Sequence, residues 1–356
     1  MSVAVGTAIE RLHVTVETIP TGEPESDGTL EWDSTTIVVV EAHADGRTGL
    51  GYTYTDESAA TLIGGKLAEA VEGLDALAPG AVHETMGRAL RNVGRPGLAW
   101  CALSAVNLAL WDLKARLLEV PLVRLLDAIR DEVPIYGSGG FTSLGPEWVA
   151  QQLAGWVDQG IPRVKMKVGR EPSEDPARVA AAREAIGVDV ELYVDANGAY
   201  TRKEALAWAE RFAFEWGVTW FEEPVSSEDV EGLRLVRDRG PAGLDVAAGE
   251  YGYVTRDFVD LVGAVDCLQA DVTRCGGITG FLRAGALAAA HGLDLSAHCA
   301  PAASAAVCCA VPRFRHLEWF HDHVRLERML FDGFPEPDGG VVRPNRSVPG
   351  NGLSLR

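Results

Sequence analysis

The spacing of hydrophobic residues changes once along the chain, near residue 130. Before this point, β-branched stretches at 9–19 and 35–43 predict strands, and the polar Gly/Pro/acidic segment at 21–33 predicts a loop between them. Apolar residues with helical periodicity then extend from residue 57 to about residue 126. Strands followed by helices indicate a compact α+β unit, and we assign residues 1–130 to an N-terminal α+β domain.

From Val133 onward, short apolar strands alternate with helical segments. The strand-like stretches are VPIYGS, RVKMKV, ELYVDA, VTWFEE, LDVAAGE, DCLQAD, LDLSAH and RHLEWF. This alternation predicts a (β/α) barrel over residues 131–330, slightly smaller than the ~250 residues usual for such barrels. An open doubly wound sheet would need a Gly-rich phosphate-binding turn after its first strand, which residues 136–141 only weakly resemble. The Gly/Pro-rich residues 331–356 are predicted to form a tail that returns to the first domain.

Composition and charge restrict the possible partners. With 47% hydrophobic and 23% charged residues, the chain is an ordinary globular protein able to build a large core. Its net charge of −19 argues against nucleic acid, which requires a clustered cationic surface. An anionic substrate must therefore be held by local lysines or by a bound metal ion.

The cysteines and the terminal segments predict a cytoplasmic protein without membrane partners. The six cysteines form no CxxC pair, which indicates free thiols in a reducing compartment. Residues 1–20 lack the cationic start and long apolar run of a signal peptide. The most apolar late stretch, 295–311, is interrupted by His298 and Pro301, so we predict no membrane span there.

Polar residues stand at or just beyond the end of each predicted barrel strand. In chain order they are Ser138, Lys165 with Lys167, Asp195 with Asn197, Glu222, Glu250, Asp271, His298 and Glu318. The C-terminal ends of barrel strands form one rim, where the active sites of such enzymes lie. We therefore expect these side chains to converge on one pocket.

Asp195, Glu222 and Glu250 follow three successive strands and form an oxygen-only ligand set. Mg²⁺ suits such a set because it takes few protein carboxylates and keeps positions for water and substrate oxygens. Zinc would prefer nitrogen or sulfur ligands. Each acid alone could equally cap a helix or pair with a surface lysine, but their occurrence on three successive strands favours the metal site.

Lys165 and Lys167 lie two residues apart in one strand and therefore share a face. Two close ammonium groups near a divalent cation repel each other, so we expect the pKa of one lysine to fall and make it a usable base. A solvated strand edge and a Schiff-base lysine are the alternatives. A Schiff-base lysine would not need the three carboxylates.

Asp271 and His298 end neighbouring strands and can form a pair. The carboxylate would fix the tautomer of the imidazole and raise its basicity. A lone histidine is more often structural, but the position at the rim and the acidic partner favour an acid/base role. Glu318 ends the last strand, where it could donate a hydrogen bond if protonated or orient a lysine.

Six motifs together resemble the enolase superfamily, specifically its mandelate racemase-like branch, over nearly the whole chain. They are VKMKV at 164–168, VDANGAY at 194–200, WFEEP at 220–224, AAGE at 247–250, LQADVTRCGGIT at 268–279 and SAHCAP at 296–301. The resemblance implies a (β/α)7β modified TIM barrel, an N-terminal α+β capping domain and a tail that returns to the cap. It also implies a homo-oligomer acting on a small-molecule carboxylate.

The resemblance further implies a role for each residue. Asp195, Glu222 and Glu250 would bind Mg²⁺, Lys167 and His298 would serve opposite faces of the substrate, and Asp271 would orient His298. Lys165 and Glu318 would hold the substrate carboxylate, and Lys165 would also tune Lys167. We expect further substrate contacts from Ser138, Asn197 and Trp32, the one aromatic residue of the polar 21–33 segment.

Family members with this set of residues mostly dehydrate acid sugars, so the resemblance favours Mg²⁺-dependent conversion of an aldonate or aldarate to a 2-keto-3-deoxy acid. The polar 21–33 segment also favours a hydroxylated substrate. Two acid/base groups equally permit racemisation or epimerisation of a 2-hydroxy or amino acid. A non-catalytic barrel that binds metal and small acids is a third possibility, but it would have no use for bases on both faces.

Overall fold

The N-terminal part of the chain is an antiparallel sheet covered by helices. The computed structural model describes residues 7–356. Residues 1–6 lie outside this range, and they belong to the segment for which we predict no signal peptide. The sheet has the order β1–β2–β3, formed by Arg11–Ser26 (β1), Glu31–Ala44 (β2) and Arg47–Tyr54 (β3). The helices are Ser58–Leu62 (α1), Ala68–Val71 (α2), Pro79–Ala89 (α3), Leu98–Leu117 (α4) and Leu122–Leu125 (α5), with a π-helical turn at Ile63–Leu67.

The hairpin of β1 and β2 corrects the predicted loop at 21–33. β1 continues to Ser26 and β2 begins at Glu31, so only residues 27–30 connect the two strands. The register shifts between Pro20 and Glu25, where an irregularity takes up the extra residues of the Gly/Pro segment. Strand pairing therefore outweighs the low strand propensity of these residues.

The sequence analysis did not predict β3. The glycines of β3 explain its position, and they also explain why no strand was predicted there. Gly49 and Gly51 share the face that packs on α4. A Cβ atom on Gly49 would lie 2.2 Å from the carbonyl oxygen of Ala109, and one on Gly51 would lie 2.3 Å from that of Ala105. The backbone of the strand therefore lies directly against the helix, and a side chain at either position would separate them.

The barrel prediction is confirmed. Eight parallel strands close into a barrel because the last pairs with the first. The strands are Val133–Gly139 (β4), Arg163–Lys167 (β5), Glu191–Asp195 (β6), Val218–Glu222 (β7), Asp245–Ala248 (β8), Cys267–Ala270 (β9), Asp294–Ala297 (β10) and Phe314–Phe320 (β11). The helices that follow them are Pro146–Asp158 (α6), Asp175–Ile186 (α7), Arg202–Trp216 (α8), Val230–Arg239 (α9), Thr255–Leu261 (α10), Gly277–Ala290 (α11), Pro301–Cys308 (α12) and His321–Leu330 (α13).

Aromatic side chains fill the part of the barrel interior that lies away from the C-terminal ends of the strands. The rings of Tyr193 and Trp220 stack with centroids 5.4 Å apart, and His316 lies 4.6 Å from Tyr136 and 5.0 Å from Trp220. All four side chains are buried. This packed layer leaves the C-terminal ends of the strands as the end of the barrel that can receive a ligand.

The C-terminal residues contact both the barrel and the N-terminal part. They include four two-residue strands, Phe331–Asp332 (β12), Pro337–Asp338 (β13), Val341–Val342 (β14) and Ser354–Leu355 (β15). β14 pairs with β4, and the backbone N–H of Asn351 donates to Asp112 of α4 over 2.6 Å. Across residues 7–356, no helix combines the length and the apolar character needed to cross a bilayer.

Candidate active site

A cavity of about 430 Å³ lies where the hairpin of the N-terminal sheet covers the C-terminal ends of the barrel strands. The barrel strand ends contribute Lys167, Asn197, Glu250, His298 and Glu318. The N-terminal part contributes Asp27, Leu30, Trp32, Ser34, Thr35, Thr36, Tyr54, Thr55 and Asp56. Five of the ten predicted rim residues therefore line one cavity, and nearly half of the lining residues come from outside the barrel.

Polar and aromatic contacts hold the hairpin over the barrel. The hydroxyl of Thr35 donates to Asp322 in the first turn of α13, and the hydroxyl of Ser26 lies 2.6 Å from that of Thr142. The Trp32 ring meets the edge of Phe141 with centroids 5.7 Å apart. These contacts fix the cavity wall relative to the strand ends.

Asp195, Glu222 and Glu250 form a compact cluster of buried carboxylates. Asp195 and Glu222 end β6 and β7, Glu250 follows β8 by two residues, and one oxygen of each lies within 4.8 Å of the others. Burial and the neighbouring Asp195 raise the pKa of Glu222 to about 8. A divalent cation would relieve this repulsion. The residues present therefore fit Mg²⁺, which prefers oxygen ligands.

Both lysines of β5 contact these carboxylates. Lys165 is fully buried, and its Nζ lies 2.5 Å from Oε1 of Glu222 and 2.9 Å from Oε1 of Glu318. Nζ of Lys167 lies 2.6 Å from Oδ2 of Asp195, at the cavity wall. The predicted fall in a lysine pKa applies to lysines beside a bound divalent cation, and it stays a prediction. Burial and the repulsion from Lys165 lower the pKa of Lys167, but Asp195 together with Glu250 and Glu318 outweighs them and raises it. A cation bound by Asp195 would weaken this attraction and favour the neutral amine.

His298 and Asp271 form the predicted pair. Nδ1 of His298 lies 2.8 Å from Oδ2 of Asp271, whose other oxygen accepts hydrogen bonds from the backbone N–H and hydroxyl of Thr273, each 2.7 Å long. Burial opposes protonation, but Cys299 and the carboxylates of Glu250 and Glu318 raise the pKa of His298 well above its usual value. Since Nδ1 is held by Asp271, Nε2 is the nitrogen left to exchange a proton.

Glu318 joins the lysine side of the site to the histidine side. Its Oε1 accepts a 2.5 Å hydrogen bond from the hydroxyl of Ser138, and its Oε2 accepts one of 3.2 Å from the backbone N–H of Cys299. Burial opposes ionisation, but Lys165 and His298 lower the pKa of Glu318. Of the two roles that the sequence left open, orienting a lysine agrees with this ionised state, and donating a proton does not.

Two of the predicted substrate-binding residues lie behind the cavity wall. Ser138 and Lys165 are fully buried, and their polar atoms are engaged by Glu318. This placement does not support direct contact between Ser138 and a substrate. Trp32, Asn197 and Glu318 do line the cavity.

Sequence reasoning missed Arg274, Glu223 and Cys299. Arg274 lines the cavity and lies 3.5 Å from carboxylate oxygens of both Glu250 and Asp271. Glu223 and Cys299 are buried and have φ angles of 38° and 50°. Such strained backbone is concentrated at functional sites. The only available signal was their nearness in sequence to residues that had been predicted.

Comparisons with known proteins agree with this geometry. Residues 13–127 match the mandelate racemase/muconate lactonizing enzyme N-terminal domain, and residues 148–356 match the enolase C-terminal domain-like family. The chain is 31% identical to the L-talarate/galactarate dehydratase of Salmonella typhimurium, over 92% of this chain and 86% of that enzyme.

Solved structures also match along the full length. A mandelate racemase/muconate lactonizing enzyme-like protein from Rubrobacter xylanophilus superposes with a TM-score of 0.97 at 60% identity, covering 98% of this chain and 97% of that one. A racemase from Streptomyces coelicolor with bound magnesium gives 0.91 at 31% identity, again covering 98% and 97%. The chain therefore belongs to the mandelate racemase/muconate lactonizing enzyme family and is an enzyme of the enolase superfamily.

Proposed function

We propose that this enzyme is a Mg²⁺-dependent dehydratase that removes the α-proton of an acid sugar and then expels the β-hydroxyl as water. The observation that carries this proposal is the meeting of Lys167, His298 and Glu250 on the wall of one cavity. A lysine nitrogen, an imidazole nitrogen and a metal-binding carboxylate are the parts needed to ionise a carbon acid next to a carboxylate.

Asp195, Glu222 and Glu250 would hold the cation. Bound Mg²⁺ supplies charge neutralisation at the substrate carboxylate, which makes its α-proton more acidic. Lys165 contacts two of these acids and Glu318, so we assign it to positioning the carboxylate end of the site. Lys167 presents its Nζ to the cavity and is the proposed base at the α-carbon.

His298 is the proposed acid for the second step. Its protonated form is stabilised by Asp271 at Nδ1, so Nε2 can give a proton to the departing hydroxyl. The electron pair left by the α-proton forms the C2–C3 double bond as the C3–O bond breaks. Water leaves, and the resulting enol tautomerises to a 2-keto-3-deoxy acid.

The cavity wall supports a polyhydroxylated substrate. Hydroxyl groups of Ser34, Thr36 and Thr55 and the side chains of Trp32 and Asn197 line it. Such groups can exchange hydrogen bonds with several hydroxyls of one ligand. The similarity to L-talarate/galactarate dehydratase points to the same substrate class, an aldonate or an aldarate.

The test is a screen of aldonates and aldarates with Mg²⁺ that detects 2-keto acid formation. Lys167→Ala and His298→Asn should each lower the dehydration rate on the acid sugar found, by roughly 10²- to 10⁴-fold. The exposed Lys203 and His291 provide the matched controls Lys203→Ala and His291→Asn, which should keep the parent rate. Unchanged turnover in Lys167→Ala and His298→Asn would refute the assignment.

Racemisation or epimerisation is the second candidate, favoured by the similarity to the magnesium-bound racemase from Streptomyces coelicolor. The two reactions share the first step, so both predict exchange of the α-proton in D₂O. Exchange with inversion and without 2-keto acid formation would identify the second reaction. Binding of metal and acid without turnover or exchange on any acid would instead favour a non-catalytic protein.

A further inference from the structure

A second cluster of ligand atoms lies beside the carboxylate cluster. Nε2 of His298 lies 3.2 Å from Sγ of Cys299, and Sγ lies 3.3 Å from Oε2 of Glu318. Oε2 of Glu318 lies 3.6 Å from Nε2 of His298, which closes a triangle. One nitrogen, one sulfur and one oxygen ligand atom therefore face each other at nearly equal separations.

These separations, 3.2 to 3.6 Å, are close to the edges of a zinc coordination sphere. Tetrahedral zinc with Zn–S near 2.3 Å and Zn–N and Zn–O near 2.0–2.1 Å places neighbouring ligand atoms about 3.3 to 3.6 Å apart. The combination of thiolate, imidazole and carboxylate also suits a borderline-soft cation rather than Mg²⁺. The three residues line the cavity, which can supply a water molecule as the fourth ligand.

The surrounding contacts orient the ligand atoms toward one another. Nε2 of His298 also lies 3.1 Å from Oε2 of Glu250, so the cluster adjoins the Mg²⁺ carboxylates. Asp271 holds Nδ1 of His298, which directs Nε2 to the cluster and is the usual arrangement behind a metal-binding histidine. Ser138 and Lys165 bind Oε1 of Glu318 and leave Oε2 on the side of Cys299. The left-handed backbone at Cys299, with φ of 50°, places Sγ next to the side chain of the preceding residue.

We propose that His298, Cys299 and Glu318 form an inhibitory site for Zn²⁺ or a similar thiophilic cation, distinct from the Mg²⁺ carboxylates. Binding displaces the thiol proton of Cys299 to solvent and occupies Nε2 of His298. A metal on this nitrogen prevents it from exchanging a proton with substrate. Inhibition by zinc is therefore not relieved by added Mg²⁺, because the two ions use different ligands.

The first test measures the site without relying on turnover. Co²⁺ is titrated into the full-length protein held in excess Mg²⁺, and the near-ultraviolet absorption of a thiolate–cobalt bond is followed. We expect one equivalent to develop this band in the parent protein and in Cys308→Ala, which removes a buried thiol elsewhere. Cys299→Ser, which keeps the size of the side chain, should lose the band, and Cys299→Ala repeats the test if the serine variant does not fold.

The second test compares zinc inhibition relative to the zinc-free rate of each variant. Loss of a direct ligand should weaken zinc binding, and therefore zinc inhibition, by more than the roughly 10–100-fold expected when a residue behind a metal ligand is changed. A cobalt–thiolate band that persists in both Cys299 variants would overturn the proposal. The proposal would also be overturned if zinc inhibited the parent and the variants equally and excess Mg²⁺ relieved this inhibition. Zinc would then be replacing Mg²⁺ at the carboxylates.

Discussion

Replacing Asp271 by asparagine tests the acid/base assignment of His298 with a change of one functional group. Oδ1 of Asp271 accepts from the N–H and the hydroxyl of Thr273, so the oxygen of an asparagine amide is kept at that position. Its NH₂ group then faces Nδ1 of His298, 2.8 Å away in the parent structure. Nδ1 must become an acceptor, and the neutral ring carries its proton on Nε2.

The magnitude follows from the lost bond. A hydrogen bond to a charged group contributes about 1.5–3 kcal/mol. At about 1.4 kcal/mol per pKa unit, its loss lowers the pKa of the His298 imidazolium by roughly one to two units. In the variant, the neutral imidazole of His298 already carries its proton on Nε2, so Nε2 cannot accept another. Loss of this proton transfer should cost about 10²- to 10⁴-fold in the rate of dehydration.

The assay is the pH profile of kcat for Asp271→Asn on the best acid sugar, combined with α-proton exchange in D₂O. We expect the pH limb that belongs to His298 to move to lower pH, and exchange catalysed by Lys167 to persist. Thr273→Val is the control, because it removes one donor to Oδ1 and keeps the carboxylate on His298. An Asp271→Asn enzyme within about threefold of the parent rate, with an unmoved pH limb, would refute the reasoning.

Three further predictions test the metal site, a buried acid and the packing of the N-terminal sheet. Mg²⁺ at about 100 times its Kd should raise the free energy of unfolding by about 2.7 kcal/mol, and Asp195→Asn should remove most of this gain in thermal denaturation; an equal gain in the variant would place Mg²⁺ elsewhere. Burial and Asp322 raise the pKa of Glu25 from 4.5 to about 8, so the folded protein retains a proton that the unfolded chain releases. The parent should therefore lose stability relative to Glu25→Gln as the pH rises from about 5 to about 8, and a constant difference in Tm would contradict this. Gly51→Ala should lower the free energy of unfolding by about 1–3 kcal/mol in chemical denaturation, because the strand must move away from α4; Gly64→Ala, whose Cβ meets open space, is the control and should not be destabilised.

The barrel and the convergence of its polar residues could be predicted because both depend on local sequence. Each barrel strand is a short apolar run, and parallel strands of a closed barrel carry their C-terminal ends to one rim. Asp195 and Glu222 are the last residues of their strands, so their meeting required no knowledge of side-chain geometry. The same rule brought His298 to within 2.8 Å of Asp271.

The lysine pKa and the state of Glu318 could not be predicted because they depend on distances between strands. The expected fall in the pKa of one lysine rested on repulsion between Lys165 and Lys167 and on a nearby divalent cation. In the structure the nearest charge to Lys167 is Asp195 of the next strand, at 2.6 Å, and attraction outweighs repulsion. The same reasoning applies to Glu318, whose ionised state follows from Lys165 on β5 and His298 beyond β10.

The hairpin at residues 11–44 explains why the sequence identifies the reaction more readily than the substrate. The groups proposed for the reaction lie at the C-terminal ends of barrel strands, and every strand of the barrel brings this end to the same rim. Most of the rest of the wall comes from the β1–β2 connection, β2, β3 and the residues that follow β3, where Thr35, Thr36 and Asp56 occur with no regular spacing. Their places depend on docking contacts such as Thr35 with Asp322 and Trp32 with Phe141. Substitutions in this hairpin should therefore change which acid is accepted, whereas substitutions of the proposed acid/base pair, Lys167 and His298, should stop the reaction of every acid.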